Sequence, residues 1–95
     1  MKVHVRLFTI LRELVGKREE TLEFNTGIVT VEDVLKELTR RYGQEFKEYL
    51  YNDKQTVRDY LQLLVNGKSV DLMERIKTKL KEGDEVAIVP PVSGG

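Results

Sequence analysis

The chain has 95 residues, no cysteine, and sixteen Lys plus Arg against sixteen Asp plus Glu, so its formal net charge is zero. A chain of this length is expected to form one small domain rather than a two-lobed enzyme. The balanced charge argues against a nucleic-acid-binding protein or a polybasic membrane anchor. The missing cysteine excludes disulfides, thiolate metal sites and a cysteine nucleophile.

The remaining composition argues against catalysis by the chain itself. His4 is the only histidine, Ser69 and Ser93 are the only serines, and no Gly-rich phosphate loop is present. A hydrolytic triad or a zinc site is therefore not expected, and we expect no metal and no cofactor bound by this chain. No apolar run approaches the roughly 20 residues of a membrane span. The start of the chain lacks the apolar stretch of a signal peptide, so we expect a cytoplasmic protein.

The first half of the chain alternates between two kinds of hydrophobic spacing. Residues 3–7 alternate apolar and polar, which predicts a strand with one buried face. Residues 10–15 change to helical spacing, and Gly16 is expected to stop that short helix. Alternation returns over residues 20–24, with Leu22 and Phe24 inward, which predicts a strand antiparallel to the first.

The clearest element is a helix from Val31 to about Tyr42. Its apolar residues follow the spacing of one helical face. Thr30 is the expected N-cap, and Gly43 is the expected C-terminal cap. Acidic residues come early and basic residues come late, an order that suits the helix dipole.

The second half is expected to be built mainly from strands. In order, it is predicted to hold a helical turn around Phe46–Leu50, a loop at 53–58, a strand at 60–65, a hairpin turn at Asn66-Gly67, a return strand at 69–70, one or two helical turns within 72–80, and a last strand at 85–89. Pro90 and Pro91 end the last strand because neither can donate a ladder hydrogen bond.

These elements predict an α+β fold, the β-grasp or ubiquitin-like roll. It would be a mixed sheet of four or five strands with one main helix on one face. The first and last strands would lie side by side and parallel at the sheet centre, because the helix lies in the connection between them. A β-sandwich would need more strands and no central helix. Residues 1–89 would form the domain, and residues 90–95 would form a flexible tail.

The tail consists of Pro90, Pro91, Val92, Ser93, Gly94 and Gly95. Two prolines hold it extended, so that it projects its carboxylate roughly 20 Å from the domain. Glycine lacks a Cβ, so the last two residues can thread a narrow channel. These properties predict a tail that enters another protein's active site; the alternative is a frayed terminus.

A carboxylate becomes reactive only when its oxygen is made a good leaving group, and acyl-adenylate formation with ATP is the usual route. The acyl group can then pass to sulfur, giving a thiocarboxylate, or to a lysine amine, giving an isopeptide bond. The chain has neither a nucleotide loop nor a thiol for these steps. We therefore expect a carrier whose partners are the enzymes.

The end of the sequence resembles a known family. The run from Glu82 to Gly95, in which a Gly-Asp-Glu strand is followed by Pro-Pro-Val-Ser-Gly-Gly, is similar to the C-terminus of MoaD proteins, in the MoaD/ThiS superfamily. Weaker matches lie at residues 12–16, 30–33 and 65–67. The resemblance covers nearly the whole chain and is least clear from Gln44 to Asp59.

This resemblance implies a β-grasp sulfur carrier that is the non-catalytic small subunit of molybdopterin synthase. A MoeB-like activating enzyme would use ATP to adenylate Gly95, and a sulfur donor protein would supply the sulfur of the thiocarboxylate. The tail would then enter a MoaE-like large subunit and give its sulfur to the pterin precursor.

Three alternatives stay open. A ubiquitin-like protein modifier would be joined to lysines through Gly95, and one protein can do both. A ThiS-like carrier for thiamine synthesis shares the Gly-Gly end but generally lacks the Pro-Pro. A plain interaction domain with an idle tail would form no ATP-dependent adduct.

The strand alternation also predicts a docking surface. Phe8, Leu64, Ala87 and Val89 would point outward on the sheet face opposite the helix. Phe8, Leu64 and Val89 would form an apolar patch near the root of the tail, a plausible partner site. The family also docks its partners on this face. Arg12 and His4 are expected at its rim, and scattered surface hydrophobes are the alternative interpretation.

Overall fold

Seven strands and three helices make up the protein in a computed structural model, which describes residues 1–91. The strands are β1 (Lys2–Leu7), β2 (Glu19–Glu23), β3 (Val29–Thr30), β4 (Gln62–Val65), β5 (Lys68–Ser69), β6 (Lys79–Leu80) and β7 (Glu85–Val89). The helices are α1 (Thr9–Val15), α2 (Val31–Tyr42) and α3 (Gln44–Leu50), and two 3₁₀ turns span Val70–Leu72 and Arg75–Lys77.

The main sheet has the strand order β2-β1-β7-β4-β5, and β3 pairs with β6 in a separate two-stranded sheet. β1 and β7 are parallel neighbours at the centre, with Leu7 opposite Ile88. β2 runs antiparallel to β1, and β4 runs antiparallel to β7. This topology confirms the predicted β-grasp roll, including the central parallel pair.

Helix α2 covers one face of the sheet. Its N-terminus is closed by a capping box, in which the Thr30 side chain accepts a hydrogen bond from the Asp33 amide and the Asp33 carboxylate accepts one from the Thr30 amide. The apolar side of α2 is buried in one core together with the inward residues of β1, β4 and β7. The predicted bounds of the helix and its N-cap are confirmed.

Two predicted turns also have the backbone conformation that their residues favour. Gly16 ends α1 with a φ of 81°. Asn66 and Gly67 have φ values of 51° and 84° between β4 and β5. Positive φ at both residues is the two-residue hairpin turn for which Asn-Gly is preferred.

The structure corrects several predictions in the second half of the chain. The helical turn before Asn52 is a full helix, α3. β4 begins only at Gln62, so Tyr60 lies outside it. Val70 belongs to a 3₁₀ turn rather than to the return strand. Within 72–80 the helical turns are 3₁₀ and are followed by β6, whose pairing with β3 the sequence did not predict.

A charged cluster joins the C-terminal end of α2 to β2. Glu20 of β2 accepts hydrogen bonds from the Tyr42 hydroxyl, from Arg41 at 3.3 Å and from Lys17 at 3.1 Å. Burial acts to raise the pKa of Glu20, but the bonds from Tyr42 and Lys17 outweigh it and hold that pKa below its ordinary value. Burial and the same bond raise the pKa of Tyr42 to about 12. Arg41 also donates to Glu37 at 2.9 Å, which extends the cluster along the helix.

Candidate docking surface and tail

The predicted tail leaves the domain from the central strand β7. Val89, the last residue of β7, lies opposite Gln62, the first residue of β4. Pro90 is buried and Pro91 is exposed, so the exposed part of the chain begins one residue later than predicted. The predicted tail residues Val92, Ser93, Gly94 and Gly95 lie outside the described residues.

The open face of the sheet, opposite α2, brings the predicted docking residues onto neighbouring strands. Ala87 lies between Arg6 of β1 and Leu64 of β4 in the sheet register. Because Leu7 pairs with Ile88, continuing β1 by one residue places Phe8 beside Val89. Phe8, Leu64 and Val89 are each partly exposed. The residues therefore share one face at the end of the sheet from which the tail leaves, as the alternation predicts.

Ala87 differs from the prediction in its exposure. It lies on the open face, but only 6% of its surface is exposed. Its side chain is a single methyl group, and its two sheet partners are the much larger Arg6 and Leu64. We conclude that Ala87 keeps the centre of this face low, while its neighbours supply the accessible surface.

Two arginines accompany Phe8. The guanidinium carbon of Arg6 lies 5.5 Å from the centre of the Phe8 ring, and that of Arg12 lies 6.0 Å from it. Arg12 also donates from Nε to the Leu7 carbonyl at 3.5 Å. Each such cation–π contact contributes about 0.5–1 kcal/mol at an exposed site. The arrangement orients the aromatic ring and places Arg12 beside it, while Arg6 also lies 4.0 Å from Glu19 Oε1 on β2.

His4 lies on the open face but away from the apolar patch. Its Nδ1 is 3.1 Å from the Thr21 hydroxyl, and its sheet partner on β7 is Glu85. His4 lies four positions before Phe8, a distance of about 13 Å in a strand, and two positions before Arg6, the sheet partner of Ala87. A contact of His4 with a partner at the rim of the patch stays a prediction.

Tyr60 is an exposed aromatic residue near the tail that the strand pattern did not single out. It lies two residues before Gln62, so it is at the end of the sheet where β7 stops. Its side chain is 49% exposed, among the few large hydrophobic residues that are. The pattern placed Tyr60 inside a strand; only the actual start of β4 puts it in the turn beside the exit of the tail.

Within residues 1–91, no group of three or more His, Asp or Glu side chains is arranged to hold a metal ion. No helix among the same residues is both long and apolar enough to cross a bilayer.

The comparison with known proteins agrees with this architecture. A model of the ThiS family matches residues 5–95. The molybdopterin synthase sulfur carrier subunit of Drosophila melanogaster is 38% identical over 96 aligned positions, which cover all of this chain and 92% of that protein. Small archaeal modifier protein 3 of Haloferax volcanii is 33% identical over the whole of both chains. The crystal structure of SAMP1 from the same organism superposes with a TM-score of 0.88 at 28% identity, again over the whole of both chains. The chain therefore belongs to the ThiS family, within the MoaD/ThiS superfamily that its motifs resemble.

Proposed function

We propose that this chain is a sulfur carrier that acts as the small subunit of a molybdopterin synthase. Gly95 would be adenylated, converted to a thiocarboxylate and brought to the pterin precursor by the tail. The observation that carries the proposal is the family match, which continues through the Pro-Pro-Val-Ser-Gly-Gly run to Gly95. The Drosophila relative, named as a molybdopterin synthase sulfur carrier subunit, aligns with the full chain.

The chemistry needs only a carboxylate from this chain. An oxygen of the Gly95 carboxylate attacks the α-phosphorus of ATP, pyrophosphate leaves, and an acyl-adenylate forms. A sulfur nucleophile then attacks the acyl carbon, and AMP leaves with the carboxylate oxygen. The nucleophile is the outer sulfur of a persulfide on the donor protein, and an external dithiol then reduces the S–S bond of the acyl disulfide, which frees the donor thiol and leaves the terminus as a thiocarboxylate. A MoeB-like enzyme would supply the ATP site, a sulfur donor protein the sulfur, and a MoaE-like subunit the pterin site.

The residues of the open face support its role as the surface that binds those enzymes. Phe8, Leu64 and Val89 offer partly exposed apolar surface. The small side chain of Ala87 leaves a shallow depression between the side chains of the neighbouring strands. Arg12 adds positive charge beside the Phe8 ring. An apolar centre with a charged rim is the usual composition of a protein interface.

A second function is favoured by a specific relative. Small archaeal modifier protein 3 matches the chain from end to end at 33% identity. A ubiquitin-like modifier would use the same adenylate at Gly95, with a lysine amine rather than sulfur attacking the acyl carbon. AMP would leave in the same way, and an isopeptide bond would result.

Intact mass spectrometry after incubation with ATP, a MoeB-like activating enzyme and a sulfur donor tests both functions. The sulfur-carrier proposal predicts the mass increase of one oxygen-to-sulfur exchange at Gly95. Lysine-linked adducts would instead support the modifier. Deletion of Gly95 should abolish either product, while the melting temperature stays that of the full chain. Normal activation of the deletion variant would overturn the proposed use of Gly95.

A further inference from the structure

A short tail forces its partner into close contact with one end of the domain. Gly95 lies four residues after Pro91, and at full extension four residues reach about 14 Å. An active site that acts on Gly95, as the proposed function requires, must therefore lie within about that distance of Pro91. The protein around that active site has to rest against the residues that surround the root of the tail.

The sheet register shows which residues those are. β1 runs parallel to β7 and ends with Leu7 opposite Ile88, so Phe8 lies at this end on one side of β7. β4 runs antiparallel and begins with Gln62 opposite Val89, so the segment that leads into β4 lies at the same end on the other side. Tyr60, two residues before Gln62, is the large exposed side chain of that segment.

The other exposed hydrophobic residues lie farther from the point where the tail begins. Ile28 is 72% exposed and comes after β2, which ends at Glu23 opposite Lys2, the start of β1 at the far end of the sheet. Leu72 and Met73 follow β5, which runs in the same direction as β7, so they lie toward the same end but at the outer edge of the sheet, two strands away from β7. Phe8 and Tyr60 are therefore the aromatic residues that stand on the two sides of β7 where the tail begins. Tyrosine, with its rigid apolar ring and polar tip, is enriched among residues that dominate interface energy.

We propose that Tyr60 is a docking residue that contacts the activating enzyme at the mouth of the channel that receives the tail, on the opposite side of β7 from Phe8. This inference rests on the proposed activation of Gly95. Contacts on both sides of the root would hold the tail in line with the channel, whereas one contact would let the domain pivot. Tyr60 touches the partner and not the reacting atoms, so its loss should weaken binding rather than slow the chemistry.

The test is ATP–pyrophosphate exchange catalysed by a MoeB-like activating enzyme with the full-length carrier as the varied substrate. Tyr60→Ser should raise KM for the carrier about tenfold with little change in kcat. Tyr60→Phe should keep the wild-type KM, because the ring is retained. Ile28→Ser is the matched control, since it removes another exposed apolar side chain at the far end of the sheet, and its KM should not change.

Two results would overturn the role of Tyr60. One is a KM for Tyr60→Ser that equals that of Ile28→Ser; the other is a failure of Tyr60→Phe to restore KM. Neither result would touch the proposed function, because deletion of Gly95 tests that separately in the same assay. If ATP–pyrophosphate exchange persists when Gly95 is deleted, that result would contradict the proposed function and also the inference about Tyr60.

Discussion

The two faces of the central strands differ in what their residues do. On the covered face, Leu7 and Ile88 are essentially inaccessible beneath α2. On the open face, their chain neighbours Phe8 and Val89 remain partly exposed. Because side chains alternate along a strand, adjacent residues of one strand serve two separate needs, stability and recognition. A substitution at an inward-facing residue should therefore lower stability, and a substitution at an outward-facing residue should weaken recognition.

The largest effect is expected when a buried side chain on the covered face is truncated. Ile88→Ala should lower the free energy of unfolding by about 2–5 kcal/mol, since it leaves a cavity in the core. Val89→Ala, one residue along on the open face, should cost about 0.8 kcal/mol or less. Urea unfolding of both variants measures the difference. Equal losses of unfolding free energy would show that the covered face of β7 is no more important for stability than the open face.

A charge on the open face should show the opposite pattern. Phe8→Asp should weaken binding of the activating enzyme about tenfold or more, by removing an aromatic anchor and by placing a carboxylate that neutralises the nearby Arg12. The free energy of unfolding should fall by no more than about 1–2 kcal/mol, the contribution of two cation–π contacts, because Phe8 is partly exposed and is the N-cap of α1 without a side-chain cap bond. Asp favours that position because it can accept a bond from the free amides of the first turn.

Titration calorimetry with the activating enzyme measures the change in affinity, and a thermal melt measures stability. Lys36→Asp is a suitable control, because Lys36 is exposed on α2 rather than on the open face. A large drop in melting temperature for Phe8→Asp, with no greater loss of affinity than the control shows, would place Phe8 in the core instead.

The smallest effect concerns how the covering helix is held. Hydrogen bonds from Arg40 and Arg41 hold the pKa of Glu37 well below its usual 4.5, at about 2. A lowered folded-state pKa means that this stabilisation is complete above about pH 4.5 and is lost as the pH falls toward 2. Pairs of this kind contribute about 0.2–1 kcal/mol. Urea unfolding at pH 7 and at pH 3 should show less acid loss in Glu37→Gln than in the natural chain; an equal loss would contradict this role for Glu37.

Much of the fold was predictable because its main elements carry strong periodic signals. α2 shows the spacing of one helical face between Thr30 and Gly43, β1 shows apolar residues with a period of two, and β7 is a short apolar run that ends at Pro90. The region from Val70 to Leu80 was not predictable in this way. Two-residue strands and single 3₁₀ turns are too short to show any period, so only tertiary contacts define them.

The candidate site was predictable to a similar degree. The alternation of side chains placed Phe8, Leu64 and Val89 on one face. This works because the pairing of the strands aligns the outward-facing residues of neighbouring strands. It could not predict the low exposure of Ala87, which depends on the size of the side chains on neighbouring strands. Tyr60 was missed because strand ends are less certain than strand centres, and its place depends on where β4 begins.

The central position of β7 has a mechanical consequence. β7 is bonded along its length to β1 on one side and to β4 on the other, and it runs in the direction of the departing tail. Tension on Pro91 therefore acts parallel to both ladders and loads their hydrogen bonds in shear, so that many bonds must break together. We therefore expect the domain to resist unfolding when it is pulled by this end of the chain.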